Sequence, residues 1–460
     1  MRNIIIILFS GLALLLFSCK KDGIFSSGNL EFSTDTLLFD TVFTTVGSTT
    51  ERFKVYNRNV GTLTIDEIEL MGGEDSPFRI NFDGIPGVYH ENIEIGGNDS
   101  LFGFVEVTLE VNNLTNPLII SDSIRFLTNG TNQYLKLDVW GQDAYFHNNE
   151  IVADSYEAWN NDKPHVLYGI VAVGFPGVDS NLTLTIPPGT EIYGHKNARL
   201  IVYKSAIDIN GELGNEVTFQ GDRLESFYDD IPGQWWGIHM IEAQTSSIDY
   251  AIIKNGSVGL RVDTTQDPLT LNLSNTIIDN SDFYNLNLVA SPNVVVENCQ
   301  FGRAGLASAF LFAGGEYNFK HCNFVNYWSG ARGGPAFSIQ NWYTFEGVTY
   351  VSSIINSRFD NCIFYGNGVN EISVDTLPGL TMDFEFNACL MKREEIYDYS
   401  NYSPSVIWNV DPLFIDPFIS DFKLQEGSPL IGAGDPAFSN SVDINGVLRT
   451  SPEIGLYEFE

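Results

Sequence analysis

Asn298-Cys299-Gln300-Phe301 and His321-Cys322-Asn323-Phe324 are one pattern written twice, 23 residues apart. Asn275-Thr276-Ile277-Ile278 stands 23 residues earlier, and Tyr250-Ala251-Ile252-Ile253 a further 25. Downstream, Asn361-Cys362-Ile363-Phe364 follows after 40 residues and Asn387-Ala388-Cys389-Leu390-Met391 after another 27. A unit of about 23 residues with insertions is the length of one turn of a parallel β-helix, which lays three short strands per turn and buries each side chain over its equivalent below. A leucine-rich repeat has a similar length, but its Leu-x-x-Leu-x-Leu pattern is absent. In this register Ala251, Thr276, Cys299, Cys322, Cys362 and Cys389 fill one inward slot. Ile253, Ile278, Phe301, Phe324 and Phe364 fill a second, two residues on. The ladders would rise about 4.8 Å per turn. Ile252, Ile277, Gln300, Asn323 and Ile363 then point outward, and the recurrent Asn275, Asn298 and Asn361 are placed to satisfy turn backbone.

The shared slot reads the four cysteines as a stack of small buried thiols. No Cys-x-x-Cys suggests a metal site, and a disulfide between adjacent turns stays open in an oxidising compartment. Upstream come Leu184-Thr185-Ile186-Pro187-Pro188-Gly189-Thr190, Ile207-Asp208-Ile209-Asn210-Gly211 and Val217-Thr218-Phe219, then Pro232-Gly233-Gln234-Trp235-Trp236-Gly237-Ile238. This order resembles the right-handed parallel β-helix proteins of bacterial surfaces, of pectate-lyase-like architecture. The predicted helix covers residues 165–407.

Residues 28–145 alternate at period 2: Val105, Val107, Leu109 and Val111 against Glu106, Thr108 and Glu110; Leu135, Leu137 and Val139 against Lys136 and Asp138. Turn clusters at Gly72-Gly73, Gly96-Gly97-Asn98-Asp99 and Thr128-Asn129-Gly130 separate the strands. Short strands at this spacing predict an immunoglobulin-like β-sandwich. Leu38-Phe39-Asp40-Thr41-Val42, Phe53-Lys54-Val55-Tyr56-Asn57, Ser76-Pro77-Phe78-Arg79-Ile80 and Trp140-Gly141-Gln142-Asp143-Ala144 resemble the Hydin-like or choice-of-anchor sandwiches, which implies a spacer rather than chemistry. The fold class expected is therefore all-β.

Residues 408–460 carry Asp411-Pro412-Leu413-Phe414, Gly427-Ser428-Pro429-Leu430-Ile431-Gly432, Asp443-Ile444-Asn445-Gly446 and Glu453-Ile454-Gly455-Leu456-Tyr457-Glu458. They resemble the choice-of-anchor closing segment found after bacterial β-helices, and a cap over the open helix end is the expected role. Asp443-x-Asn445-Gly446 reads as a turn, with a calcium loop fragment as the alternative; no metal ligand set and no cofactor are expected.

At the N-terminus, Arg2 precedes an apolar run to Phe17, too short for a membrane span. Leu16-Phe17-Ser18-Cys19 resembles a bacterial lipobox. Residues 1–18 are then a lipoprotein signal peptide, Cys19 the lipid attachment site and residues 19–27 a tether. Lys20-Lys21-Asp22 resembles the surface-export signal of Bacteroidetes lipoproteins. The implied location is the outer membrane, surface-exposed or facing the periplasm.

The chain holds 24 basic and 58 acidic residues, a formal net charge of −34. Such a surface repels phosphate backbones and excludes nucleic acid as a partner. The expected partners are the membrane, through the lipid, and a carbohydrate or another surface protein. Trp235, Trp236, Tyr327, Trp328 and Arg332 are the candidate ligand contacts, because exposed rings stack on sugars and a guanidinium holds a carboxylate. Basic residues Arg223, Lys254, Arg261, Arg303, Lys320 and Arg332 read as scattered. No catalytic cluster stands out. The sequence thus favours a non-catalytic binding or structural module. A sheet face with converging Lys or Arg and acids would instead favour a polysaccharide lyase or glycoside hydrolase.

Overall fold

The computed structural model describes residues 28–44, 47–48, 50–110, 118–152, 156–177, 180–263, 270–290, 292–394 and 400–459. The expected signal, Cys19 and the tether lie outside them. The chain divides after Asp143 into two units.

In the first unit, alternating strands build two five-stranded sheets. Glu31–Phe32, Glu51–Asn57, Asp99–Val107, Phe78–Phe82 and Ile85–Pro86 form one; Thr36–Phe43, Thr131–Gln142, Leu118–Thr128, Leu63–Leu70 and Tyr89–Ile95 form the other. Every second residue is buried: Phe53 and Val55 lie inside while Arg52, Lys54 and Tyr56 do not. Phe53, Phe82 and Phe126 meet edge to face at 5.8–6.3 Å, the geometry their ring quadrupoles favour. Buried Asn57 donates through Nδ2 to the carbonyls of Gly61 and Ile95 at 2.8 and 2.9 Å, tying the following turn to the opposite sheet.

The second unit is a parallel β-helix. Among the described residues its three sheets hold eleven, nine and nine strands, and neighbours within each are parallel wherever their register is given. Sheet A runs from Tyr145–Asn148 to Ile407–Trp408, sheet B from Ile151–Val152 to Ile372–Asp375, and sheet C from Tyr156–Ala158 to Met382–Asn387. The inward ladder pairs Ile253, Ile278, Phe301, Phe324, Phe364 and Met391 in register, as the sequence pattern predicts. Phe301, Phe324 and Phe364 stack face to face at 5.0 Å per step.

The cysteine slot has its own chemistry. Cys299, Cys322, Cys362 and Cys389 are buried free thiols. Each donates to the carbonyl two residues earlier, at 3.2–3.3 Å. Thr276 Oγ1 makes the same bond to Ser274 at 2.7 Å. The slot thus takes a small side chain with a short-range donor. The residues just before it (Tyr250, Asn275, Asn298, His321, Asn361 and Ala388) all have φ between 44 and 56°. Asn tolerates that left-handed corner best, which explains its recurrence.

Two expectations are corrected. The coil begins before residue 165: Tyr145–Asn148, Ile151–Val152 and Tyr156–Ala158 already supply one strand to each sheet. Here His147, Trp159 and His165 stack on one another in place of the Cys-Phe pattern. Beyond Trp408, which ends sheet A, the expected cap does not sit over the open end of the helix. Its residues run back along the outer side of sheet A, where Phe414, Phe422, Leu424, Leu430 and Ile454 bury Val325, Ile363 and Leu390. This strap crosses several coils. Ser420 Oγ reaches Asp279 at 3.1 Å, Tyr457 OH donates to Gln300 at 2.9 Å, Leu456 N to Asn323 Oδ1 at 3.0 Å, and Asp435 N to Asn361 Oδ1 at 2.7 Å. The outward Gln300, Asn323 and Ile363 are consequently buried. Apolar and hydrogen-bonding groups on that side of the coil need the strap, whereas the last coil is faced by Tyr402 and Trp408.

Candidate functional site

With sheet A covered, the outer face of sheet B carries a cluster of charged and aromatic side chains. Four strands place the first half of it: Arg199–Tyr203, Gly237–Ile241, Val258–Asp263 and Tyr284–Val289. Buried Leu200, Ile238 and Leu260 alternate with outward Arg199, His239 and Arg261. Register sets Arg199 beside Gly237, and His239 beside Arg261. The guanidinium of Arg199 lies 3.7 Å over the Trp236 ring, and that ring lies 5.2 Å from His239. Gly237 has φ +119, and a Cβ there would stand 1.6 Å from the carbonyl oxygen of Val258. Only glycine lets the chain bend here and lets the next coil's backbone pack this close.

Asp263 joins the cluster. Its carboxylate accepts from His239 Nε2 at 2.8 Å and from Arg261 Nε at 2.7 Å. Burial pushes the Asp263 carboxyl up, but those two hydrogen bonds outweigh it, so the group ionises below its ordinary range. His239 Nδ1 is buried without a hydrogen-bond partner. Burial, and next the charge of Arg261, hold Arg199 below its ordinary value. Among the described residues Arg199 makes no ion pair. Asp263 offsets the charge of Arg261, so Arg199 leaves one uncompensated positive charge on this face of an acidic protein, where an anion would be favoured.

The second half of the face is aromatic. Tyr284 lies 5.7 Å from Phe310, Phe310 4.7 Å from Phe312, and Phe312 5.4 Å from Tyr343. Phe310 and Phe312 come from the strand Ala307–Phe312. Tyr343 comes from a projecting hairpin, Trp342–Phe345 with Val348–Val351, and stacks on Tyr350 at 4.9 Å. Burial pushes the Tyr284 hydroxyl up, partly opposed by Arg261. The face from Arg199 to Phe312 crosses five neighbouring strands, about 19 Å at the usual strand spacing.

The candidate contacts expected from the sequence separate once placed. Trp236 belongs to this face. Trp235 does not: its ring is buried parallel to Phe219, and Nε1 donates to the carbonyl of Lys254 at 3.0 Å. Tyr327 packs against Phe418 and Phe422 beneath the strap. Arg332 grips both oxygens of the fully buried Glu371 at 2.7 Å and the carbonyl of Asn326 at 2.9 Å, which fixes its loop. Trp328 is held in the same loop by bonds to Asn326 and Asn367. Arg261, expected to be a scattered surface charge, is part of a cluster. Arg199, His239, Asp263, Tyr284 and Phe312 belong to no sequence motif. For all but Tyr284, which alternates in step with buried Leu286 and Leu288, the only signal is the outward position on a second strand of each coil.

Among the described residues no group of three or more His, Cys, Asp or Glu could hold a metal ion, and no helix is long and apolar enough to cross a membrane. Asp443 caps a turn: Oδ1 accepts from Asn445 and Val447, each at 2.8 Å.

No family model and no curated protein matches the chain. Among solved structures, it is similar to a family 123 glycoside hydrolase from Clostridium perfringens, at 8% identity and TM-score 0.19, over 28% of this chain and 26% of that one. It is also similar to the A-module of the mannuronan C-5 epimerase AlgE6 of Azotobacter vinelandii, at 10% identity and TM-score 0.25, over 54% of this chain and 90% of that one. The chain thus spans about a quarter of the hydrolase.

Proposed function

We propose that this chain is a glycan-binding lipoprotein that holds an anionic polysaccharide along the outer face of sheet B. The observation that carries the reading is the unpaired Arg199 over Trp236, with Arg261 two strands away and a run of half-buried rings beyond. Arg199 and Arg261 would take a carboxylate or sulfate, and the rings would stack on the apolar faces of sugars. Cys19 would carry the lipid that anchors the protein to the outer membrane. His239 is turned away from a ligand, with Nε2 bonded to Asp263 and Nδ1 shielded from solvent, which favours binding over catalysis.

A second reading has its own support. Arg199, Arg261, Asp263, His239 and Tyr284 converge on one sheet face, the arrangement expected of a polysaccharide lyase. In that case a guanidinium neutralises the uronate carboxylate and Tyr284 or a freed His239 handles protons.

One experiment separates these. Residues 20–460 are screened on an acidic-glycan array and, with the hits, for growth of unsaturated-uronate absorbance. Binding lost in Arg199→Ala without absorbance supports the binder. Absorbance growth lost in Arg199→Ala replaces it with the lyase. Binding indifferent to Arg199 sinks both.

A further inference from the structure

The sandwich gathers its cations on one face. Residues 28–143 contain six basic and eighteen acidic side chains. Arg125 and Lys136, on the Leu118–Thr128 and Thr131–Gln142 sheet, are paired, with Glu67 and Glu69 and with Asp138. The other four, Arg52, Lys54, Arg58 and Arg79, belong to the opposite sheet or its adjoining turn. Arg52, Lys54 and Arg79 alternate with buried Phe53, Val55, Phe78 and Ile80, so they face outward. Strand register sets Arg52 beside Phe104 and Lys54 beside Phe102. Lys54 Nζ lies 4.8 Å over the Phe102 ring and the Arg52 guanidinium 6.0 Å from it. Phe102 and Phe104 stack at 6.2 Å and each is 37% exposed. Arg58 covers Tyr56 at 4.1 Å and pairs with Glu31. Arg79 bonds the carbonyls of Ser76 and Phe78. The acids on this face are Glu31 and Glu106, and Glu106 accepts from Thr50. Among the described residues, Arg52 and Lys54 make no ion pair.

Two unpaired cations over Phe102, with Phe104 stacked beside it, are chemistry for a charged, amphipathic boundary. We infer that this face docks on an anionic phospholipid surface, with Arg52 and Lys54 at the headgroup phosphates and Phe102 and Phe104 at headgroup depth. Two unpaired cations on an otherwise acidic domain are complementary to an anionic surface, and the adjoining part-exposed rings suit its amphipathic boundary. The position fits as well, in one respect that rests on the anchor reading: from a lipidated Cys19 to Gly28 the chain reaches at most about 30 Å. Elsewhere the acidic surface repels the same membrane, so docking would fix which side of the sandwich faces it.

The test uses residues 20–460, without lipid, and vesicles of phosphatidylcholine alone or mixed equally with phosphatidylglycerol. The expected result is co-sedimentation with the mixed vesicles only, weakened by high salt. Arg52→Glu with Lys54→Glu should reduce binding at least tenfold, and Phe102→Ser with Phe104→Ser at least threefold, both with unchanged melting. No binding to mixed vesicles, or binding unaltered by the charge reversals, overturns the inference. So does vesicle binding no stronger than binding to a soluble anionic polysaccharide. An unlipidated Cys19, shown by mass spectrometry of the exported protein, would remove the anchor and leave the vesicle result standing.

Discussion

The Arg199 guanidinium lies 3.7 Å over the Trp236 ring, in a molecule where most of the other described arginines pair with an acid. A stacked, unpaired guanidinium keeps its donors in a plane that a carboxylate can meet edge on. Arg199→Ala should weaken binding of an acidic oligosaccharide at least tenfold. Arg199→Lys should recover little of it, because an ammonium neither stacks nor bonds in two places. Calorimetric titration of both variants, with circular dichroism as the folding check, decides this; full recovery by lysine would show that charge alone matters.

The stacked rings of sheet A carry the coil's core. Phe324 is fully buried between Phe301 and Phe364. Phe324→Ala should cost about 3–5 kcal/mol, the usual range for emptying a ring-sized site in a core. Urea unfolding measures it. A loss under about 1 kcal/mol would mean the ladder relaxes around the gap.

The thiols of Cys299, Cys322, Cys362 and Cys389 should be silent in the folded protein. All four are fully buried, out of a reagent's reach; burial pushes the Cys299 and Cys362 thiols well up, whereas at Cys322 burial is outweighed by hydrogen bonds with those two neighbours, which lower it to about 5. Ellman's reagent should find none of the four before denaturation and all of them after it. Fewer than four in denaturant without reductant would reveal a disulfide.

Acid should loosen the strap. His321 is buried; Nδ1 donates to the carbonyl of Gly455 at 2.9 Å, and Nε2 accepts from Ser439 and Asn361. Burial, then the charge of Arg449, lowers its proton affinity to about 3. The native state therefore binds this proton less readily than the unfolded chain does. Stability should fall as pH drops from about 6.5 toward 3. His165, lowered to about 4 by burial, adds to the same slope. Melting temperatures from pH 7.5 to 4 should show it. His321→Asn, which suits the left-handed corner at φ 50°, should flatten the acid slope. An unchanged slope would clear His321 of the effect.

The ladders are legible in the sequence because their slots repeat one kind of residue: Cys or Thr in one, Ile or Phe in the next. The sheet B face is not. Its outward register reads Ile201, His239, Arg261, Asn287, Phe310 and Ser338, a different residue in every coil, at unequal spacings. Packing demands likeness from coil to coil, whereas a ligand contact demands only a position. Trp235 and Trp236 show the same limit, since one step along the strand puts the first inside and the second outside. The strap's residues are recognisable as a set, but nothing in them says which side of the coil they cross.

The strap also sets a timetable. A stack of coils bound only to its neighbours can gain or lose turns one at a time from either end. Tyr457 fastens Gln300, 157 positions earlier, and Arg449 fastens Asn298, 151 positions earlier. Those coils must therefore wait for the strap to be made before they are tied down, and once tied they should come apart together. A protein threaded across a membrane in extended form would gain from that delay: it stays easy to unravel while in transit and becomes hard to unravel on arrival.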